Sequence, residues 1–232
     1  MIRFDSVSET CLMVHLADEI DLSLTPLIGR LVSQIQADFP HQLIEIVPSY
    51  TSILIHFHPD QITERLLRER ISLCHSQWQD KPVSAVGKVI ELPVYYHPDV
   101  GPDLIPLAEA KGLSVEQVIA LHSQPIYTVC AIGFAPGFAF LASVDEAIAM
   151  PRHAEPRLSL APGSVGLADR QTAVYPAQSP GGWQIIGNCP KSLFNPEREP
   201  MTPFSVGDQV RFQPVDRSTF KSLGGEIWPH WK

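Results

Sequence analysis

Gly133-Phe-Ala-Pro-Gly-Phe138 sets two glycines and a proline between aromatic anchors, directly after the apolar run Tyr127 to Ile132. A loop of this kind can aim backbone N–H groups at an anion or a carbonyl oxygen, with Gly133, Phe134, Gly137 and Phe138 as contact positions. The same residues also describe a tight turn pinned by two buried rings. Ala161-Pro-Gly-Ser-Val-Gly166 and Ser179-Pro-Gly-Gly-Trp183 are two further glycine-rich turns, each joining a hydroxyl to backbone that a ligand can approach closely. Three such loops meeting at one rim would make a binding site, whereas hairpin turns would scatter over both ends of a β domain. Pro151-Arg-His-Ala-Glu-Pro-Arg157 places Arg152 and Arg157 in a proline-bracketed loop. Their planar guanidinium groups suit a carboxylate or phosphate, or else a salt bridge to Glu155 or another acid of the chain. Gln171, Thr172 and Gln184 offer neutral hydrogen bonds to an amide-like ligand or to loop backbone.

Two groups of histidines complete the candidates. His122 closes a helical segment just before the Tyr127 strand, where it can serve as acid, base or helix C-terminal cap. His56 and His58 alternate on a strand-like run, a spacing that can hold zinc, but no matching third ligand stands nearby and no H-E-x-x-H occurs, so no metal is inferred. Cys11, Cys74, Cys130 and Cys189 stand more than fifty residues apart, without a C-x-x-C, and read as buried or incidental thiols. Neither G-x-x-x-x-G-K-[ST] nor G-x-G-x-x-G appears, which leaves no independent nucleotide site. The absence of a G-x-S-x-G elbow leaves nucleophilic hydrolysis by this chain alone without support.

The elements that must position these residues follow from composition. The 232 residues are 44% hydrophobic and 18% charged, a globular composition sized for one large or two small domains. A net charge of −8 repels phosphate backbones and anionic surfaces, which disfavours nucleic acid and membrane partners. With no long apolar run and no basic, apolar leader, the expected location is the cytoplasm. Residues 1–81 hold 4 prolines and 1 glycine, against 18 and 13 in residues 82–232. That shift predicts an α+β chain with an α/β domain at 1–81, a linker at 82–87, a turn-rich β domain at 88–216 and a basic tail at 217–232.

In the first domain Cys11 to Leu16 reads as a strand, and Leu24, Leu27, Ile28, Leu31, Val32 and Ile35 share one helical face. Leu43 to Val47 and Ser52 to His58 form two strand-like runs, and Asp60 stands ready to cap a helix carrying Ile62, Leu66, Leu67, Ile71 and Cys74. The predicted order is β-α-β-β-α, a sandwich of helices on a sheet. The second domain opens with a strand over Val89 to Tyr96 in which Pro93 marks an edge or bulge. Short helices follow from Leu104 to Lys111 and after the capping box Ser114-Val-Glu-Gln117. Short apolar runs between Gly/Pro turns then predict a small closed barrel or sandwich. The tail aromatics, Trp228 and Trp231, mark either a contact surface or a segment folded back onto its own domain.

Several spaced motifs together carry a family resemblance. They are Gly101-Pro-Asp-Leu104, Gly133 to Phe138, Pro151-Arg152 with Pro156-Arg157, Pro162-Gly-Ser-Val-Gly166, Gln171-Thr172 with Tyr175-Pro176, and Ser179-Pro-Gly-Gly-Trp-Gln-Ile-Ile-Gly187. The chain resembles the family of the B-type 5-oxoprolinase subunits, also known as carboxyltransferase or allophanate hydrolase subunit 1 and as the Kip-type inhibitor of a sporulation histidine kinase. The resemblance implies a smaller N-terminal domain and a cyclophilin-like β-barrel. It implies a part in converting 5-oxo-L-proline to L-glutamate with ATP. The partners it implies are a C-type subunit with a homologous barrel and an A-type subunit. Given the missing phosphate loop here, ATP would bind elsewhere in the complex or at a shared interface. It also implies two alternatives, a non-catalytic kinase inhibitor and a urea- or amide-directed carboxyltransfer subunit that depends on biotin. On this reading the amides of Gly133 to Phe138 face a carbonyl oxygen and Arg152 and Arg157 face a carboxylate or phosphate. Gln171, Ser179, Trp183 and Gln184 position the substrate, and His122 with Gln171 are the candidates for chemistry. The chain departs from the family pattern at His97-Pro-Asp99, at Asp169-Arg170 and at Asn188-Cys189.

Overall fold

The computed structural model describes residues 2–19, 21–78, 87–229 and 231. The chain divides into two compact units, Met1–Gly87 with Ser205–Gly207, and Lys88–Phe204 with Asp208–Lys232. All of the expected 82–87 linker except Gly87 lies outside the described residues.

The first unit is an antiparallel four-stranded sheet carrying two helices. Its strands are β1 (Arg3–Ser8), β2 (Cys11–His15), β3 (Leu43–Pro48) and β4 (Ser52–Phe57), in the order β1-β2-β4-β3. Helix α1 spans Thr25–Asp38 and α2 spans Glu64–Trp78. Alternate residues of the central strands, Leu12, Val14, Ile53 and Ile55, pack without exposure against Ile28, Leu31 and Ile35 of α1 and Leu67 and Ile71 of α2. This is the expected consequence of period-2 strands meeting period-3.6 helices. Pro26 stands in the first turn of α1, where its missing N–H costs nothing. Two details differ from expectation. The unit opens with one more strand, β1, a mostly exposed edge with little apolar alternation to announce it. Helix α2 begins at Glu64, beyond Asp60, and leaves Leu66 exposed while Leu67, Ile71 and Cys74 face the core.

The second unit is built on a seven-stranded sheet. Its strands are β5 (Val89–Val94), β6 (Ile126–Ile132), β7 (Ala139–Ala142), β9 (Ser164–Ala168), β10 (Gln171–Val174), β12 (Gln184–Asn188) and β13 (Gln209–Pro214). They run in the order β12-β9-β10-β7-β6-β13-β5, with β13 and β5 parallel. Tyr95 and Asn188 exchange backbone hydrogen bonds of 2.9 and 3.0 Å, which join the two ends of the sheet and nearly close a barrel. Closure of this kind hides strand edges that would otherwise pair with another chain. Pro93 falls on the terminal strand, where a missing donor is tolerated. A separate pair, β8 (Arg157–Leu160) and β11 (Ser179–Gly181), stands beside this sheet. Helices α3 (Leu104–Lys111) and α4 (Val115–Ser123) lie between β5 and β6 in sequence, and Ser114 and Gln117 form the full capping box at the start of α4. Helix α5 (Arg217–Ser222) opens the tail and buries Phe220 completely. Trp231 packs against the cluster of Phe138, Tyr175 and Trp183, so the tail folds back onto its own unit.

Gly101 shows why the Gly-Pro-Asp-Leu run takes this form. A Cβ on Gly101 would sit 2.3 Å from the backbone carbon of Ile186 on β12. Because the obstacle is backbone, Gly101→Ala must displace the strand, and a loss of about 3 kcal/mol is expected for the barrel unit. A urea unfolding midpoint indistinguishable from that of the parent chain would contradict this close approach.

Candidate functional site

A cleft of about 170 Å³ opens on the barrel unit, lined by Phe134, Phe138, Phe140, Tyr175, Trp183 and Arg152, with Pro180, Gly181 and Gly182 along one side. Phe138 is the hub. Its ring lies 5.1 Å from Phe134, 4.9 Å from Phe140, 5.3 Å from Tyr175 and 5.8 Å from Trp183, all edge-to-face. Such contacts fix ring orientation as well as burying area. Phe134 is 65% exposed and has φ of 73°, a left-handed conformation that a bulky residue rarely adopts. The fold thus holds an exposed ring at the mouth of the cleft in a backbone state that disfavours it.

The loop that presents Phe134 is closed by hydrogen bonds from Gly133 N to Phe138 O, 3.1 Å, and from Phe138 N to Ala135 O, 2.9 Å. The N–H groups of Phe134, Ala135 and Gly137 are left without an internal acceptor among the described residues. Gly137 has φ of 82°, and a Cβ there would stand 2.5 Å from Leu193 O. Only glycine satisfies both conditions.

Arg152 reaches the cleft from the 151–157 loop. Its guanidinium carbon lies 5.6 Å from the centre of the Trp183 ring, within cation–π range, and it makes no ion pair among the described residues. Three contacts anchor that loop. Gln184 Nε2 donates to Pro151 O at 2.8 Å, His153 N donates to Gly182 O at 2.7 Å, and Arg157 forms a two-pronged pair with Asp103 at 2.7 and 2.8 Å. Asp103 is 4% exposed and accepts also from Ile185 N at 2.7 Å, while His153 Nε2 stands 3.2 Å from its other oxygen. The carboxylate that Arg157 recognises is therefore the chain's own. The amide of Gln184 likewise serves the loop backbone.

Phe134, Phe138, Arg152 and Trp183 are brought together in the cleft, and Gly133 and Gly137 shape its loop. Gln171 opens β10 opposite Ala142 and Ala168, and Ser179 opens β11, and neither lines the cleft. The Ser179 Oγ is buried without a hydrogen-bond partner among the described residues. Of the three glycine-rich turns, those at 133–138 and 179–183 meet, whereas Ala161-Pro-Gly163 lines a different cavity.

His122 lies inside the barrel unit, fully buried, rather than in the cleft. Its Nδ1 is 2.7 Å from the Tyr96 hydroxyl and its Nε2 is 2.9 Å from Thr172 Oγ1. Thr172 spends its proton on Gly166 O at 3.0 Å, so the hydrogen-bond network assigns the ring proton to Nε2 and leaves Nδ1 to accept from Tyr96. Burial pushes the His122 pKa down to about 3, which keeps the ring neutral and gives it a structural task. Burial raises Tyr175 to about 12, so its phenol stays protonated at the cleft wall. The four cysteines are free thiols, and burial raises Cys189 to about 11. His56 ends up on β4 and His58 just beyond it, and no group of three metal-ligating side chains gathers among the described residues. None of the helices is long and apolar enough to cross a membrane, among the described residues.

Phe140, Tyr175 and Asp103 are participants to which sequence alone assigned no site role. Tyr175 and Asp103 each stood inside a motif, Tyr-Pro and Gly-Pro-Asp-Leu. The signal available was an acid followed at once by a helix of apolar residues.

The model of the carboxyltransferase domain, subdomain C and D, matches residues 2–204. The chain is 32% identical to the B subunit of 5-oxoprolinase from Bacillus subtilis, covering 97% of each chain. It is 37% identical to the B subunit of 5-oxoprolinase from Escherichia coli O157:H7, covering 90% of this chain and 94% of the relative. Among solved structures it is similar to TTHA0988, with a TM-score of 0.77 and 30% identity over 95% of this chain, and it spans only 41% of that longer protein. The urea carboxylase of Kluyveromyces lactis shares the fold, with a TM-score of 0.72 at 19% identity over 95% of this chain and 22% of that one.

Proposed function

The chain belongs to the carboxyltransferase domain family, subdomain C and D, and from that membership we propose that it is the B subunit of an ATP-dependent 5-oxoprolinase. In this role it supplies one wall of a site whose other wall comes from a C-type subunit, and the third component is an A-type subunit. The observation that carries the reading is the end-to-end correspondence with relatives named as the B subunit of 5-oxoprolinase, over 97% of both chains in one case.

The cleft fits the chemistry of a small cyclic amide that bears a carboxylate. The unpaired guanidinium of Arg152 takes the carboxylate, and the aromatic walls cover the ring. The N–H groups of Phe134, Ala135 and Gly137, without an acceptor among the described residues, suit the amide oxygen as it gains negative charge. Water adds to the carbonyl carbon, the ring C–N bond breaks, and the nitrogen takes a proton to become the amine of L-glutamate. ATP hydrolysis supplies the driving force elsewhere in the complex or at a shared interface, since this chain has no phosphate-binding loop. Among the described residues, no carboxylate or histidine lines this cleft.

The test is ATP-dependent glutamate formation from 5-oxo-L-proline with the A-type and C-type partners present, with and without this chain. Product is expected only when all three are combined, and undiminished turnover without this chain removes the proposal. Within the active assembly, Arg152→Gln is expected to raise KM for 5-oxo-L-proline by roughly 10- to 100-fold with a smaller change in kcat, the loss of one charge-assisted contact. An unchanged KM would take Arg152 out of the site.

A further inference from the structure

A second cavity, of about 360 Å³, is separate from the aromatic cleft. It lies in the barrel unit between the turn at 161–163, the segment after β12 and the tail beyond α5. Phe220 anchors that tail. Gly225 sits so close to the Phe220 ring that a Cβ would stand 2.3 Å from it, and residues beyond the turn at Gly224 then form one side of the cavity.

The lining has a distinctive balance. Pro162, Pro176 and Pro190 supply rigid apolar walls and Trp228 supplies a ring. Asn188 Nδ2 donates to Pro162 O at 2.8 Å and Ser192 Oγ donates to Phe194 O at 3.1 Å, so the neutral polar donors of the lining are largely engaged. Two formal charges remain, Lys191 and Glu226, which make no ion pair with each other or with any other described residue. The one hydrogen bond of the Lys191 ammonium among the described residues is a long one, 3.5 Å, to Glu91 O. The thiol of Cys189 is kept protonated by burial and is no nucleophile.

One cation and one anion, each without an ionic partner among the described residues, on a half-apolar cavity do not match a nucleotide or phosphate, which would demand an excess of positive charge. They match a ligand that carries both charges itself. We infer that this cavity binds a small zwitterionic amino or imino acid, its carboxylate toward Lys191, its ammonium toward Glu226 and its carbon frame against Trp228 and the prolines. The inference is independent of the proposed 5-oxoprolinase role, since it concerns a different cavity and a binding event without chemistry.

L-proline and 5-oxo-L-proline form a matched pair of probes. Both have a five-membered ring and a carboxylate, but only proline carries a charged nitrogen at neutral pH. Titration of the full chain by calorimetry and tryptophan fluorescence is expected to show saturable binding of L-proline with a Kd of the order of 1 mM. Glu226→Gln and Lys191→Gln should each weaken proline binding by about tenfold, and Trp228→Phe should remove the fluorescence change. Both charged residues are exposed, so these variants should keep the parent's thermal midpoint. Binding of 5-oxo-L-proline should be unchanged by Glu226→Gln. No saturation with L-proline up to about 50 mM, or proline binding that is indifferent to Glu226→Gln, overturns the inference while leaving the glutamate-forming assay untouched. Failure of that assay with proline binding intact overturns the other proposal alone.

Discussion

Asp103→Asn is expected to destabilise the barrel unit by about 3–5 kcal/mol, the usual cost of stripping a buried charge of its partner. The substitution keeps the shape of the side chain. It places an amide that can donate against the Arg157 guanidinium, whose side chain is 19% exposed. It also weakens the bond from Ile185 N that ties α3's leading turn to β12. Removing both charges should be milder than removing one, because the paired state gains its Coulomb energy only by offsetting two desolvation costs. Asp103→Asn combined with Arg157→Met should therefore recover at least about 1 kcal/mol relative to Asp103→Asn alone. Urea unfolding of the four chains of this cycle measures the coupling. If the single and double variants lose equally, the pair is not the anchor of the 151–157 loop.

The same pair explains why sequence reading saw only part of the site. Phe134, Phe138, Arg152 and Trp183 were legible because each sits in a short motif whose glycines and prolines dictate an exposed turn. The place of Phe140 and of Tyr175 in the cleft was not, since they reach it through the pairing of β7 with β10, a contact between segments some thirty residues apart that no local pattern encodes. Arg157 was legible as a carboxylate binder, but its partner lies 54 residues away, so the choice between a ligand and Asp103 could be made only in three dimensions. The fold divides in the same way. Helix α1 follows from its periodic apolar face and the capping box of α4 from four residues, both local. Strand β1 escaped because an edge strand with mostly exposed residues carries no alternation. The closing bridge between Tyr95 and Asn188 depends on the stagger of the whole sheet.

His122 gives the clearest case of a residue whose type pointed one way and whose surroundings point another, and it makes the stability of the barrel unit depend on acidity. The ring is held between Phe212, stacked at 4.6 Å, and the hydroxyls of Tyr96 and Thr172. In the neutral form each nitrogen is satisfied, Nε2 as donor to Thr172 and Nδ1 as acceptor from Tyr96. With the folded pKa lowered from 6.5 to about 3 by burial, the unfolded chain binds a proton that the folded chain refuses between those two values. The contribution of the neutral ring is therefore complete above pH 6.5 and is lost progressively as the pH falls toward 3, in total on the order of 5 kcal/mol at 1.36 kcal/mol per pKa unit. Between pH 6 and 5, before most carboxylates titrate, this one group should steepen the fall in unfolding free energy by about 1 kcal/mol per pH unit. His122→Gln retains a donor and an acceptor but cannot titrate. It should cost stability at pH 8 through imperfect packing, yet show a slope between pH 6 and 5 that is shallower by that same amount. Unfolding midpoints measured across pH 5 to 8 in both chains decide the matter. Equal slopes would mean that His122 is protonated inside the fold, and the assignment of a neutral ring bridging Tyr96 and Thr172 would fall with it.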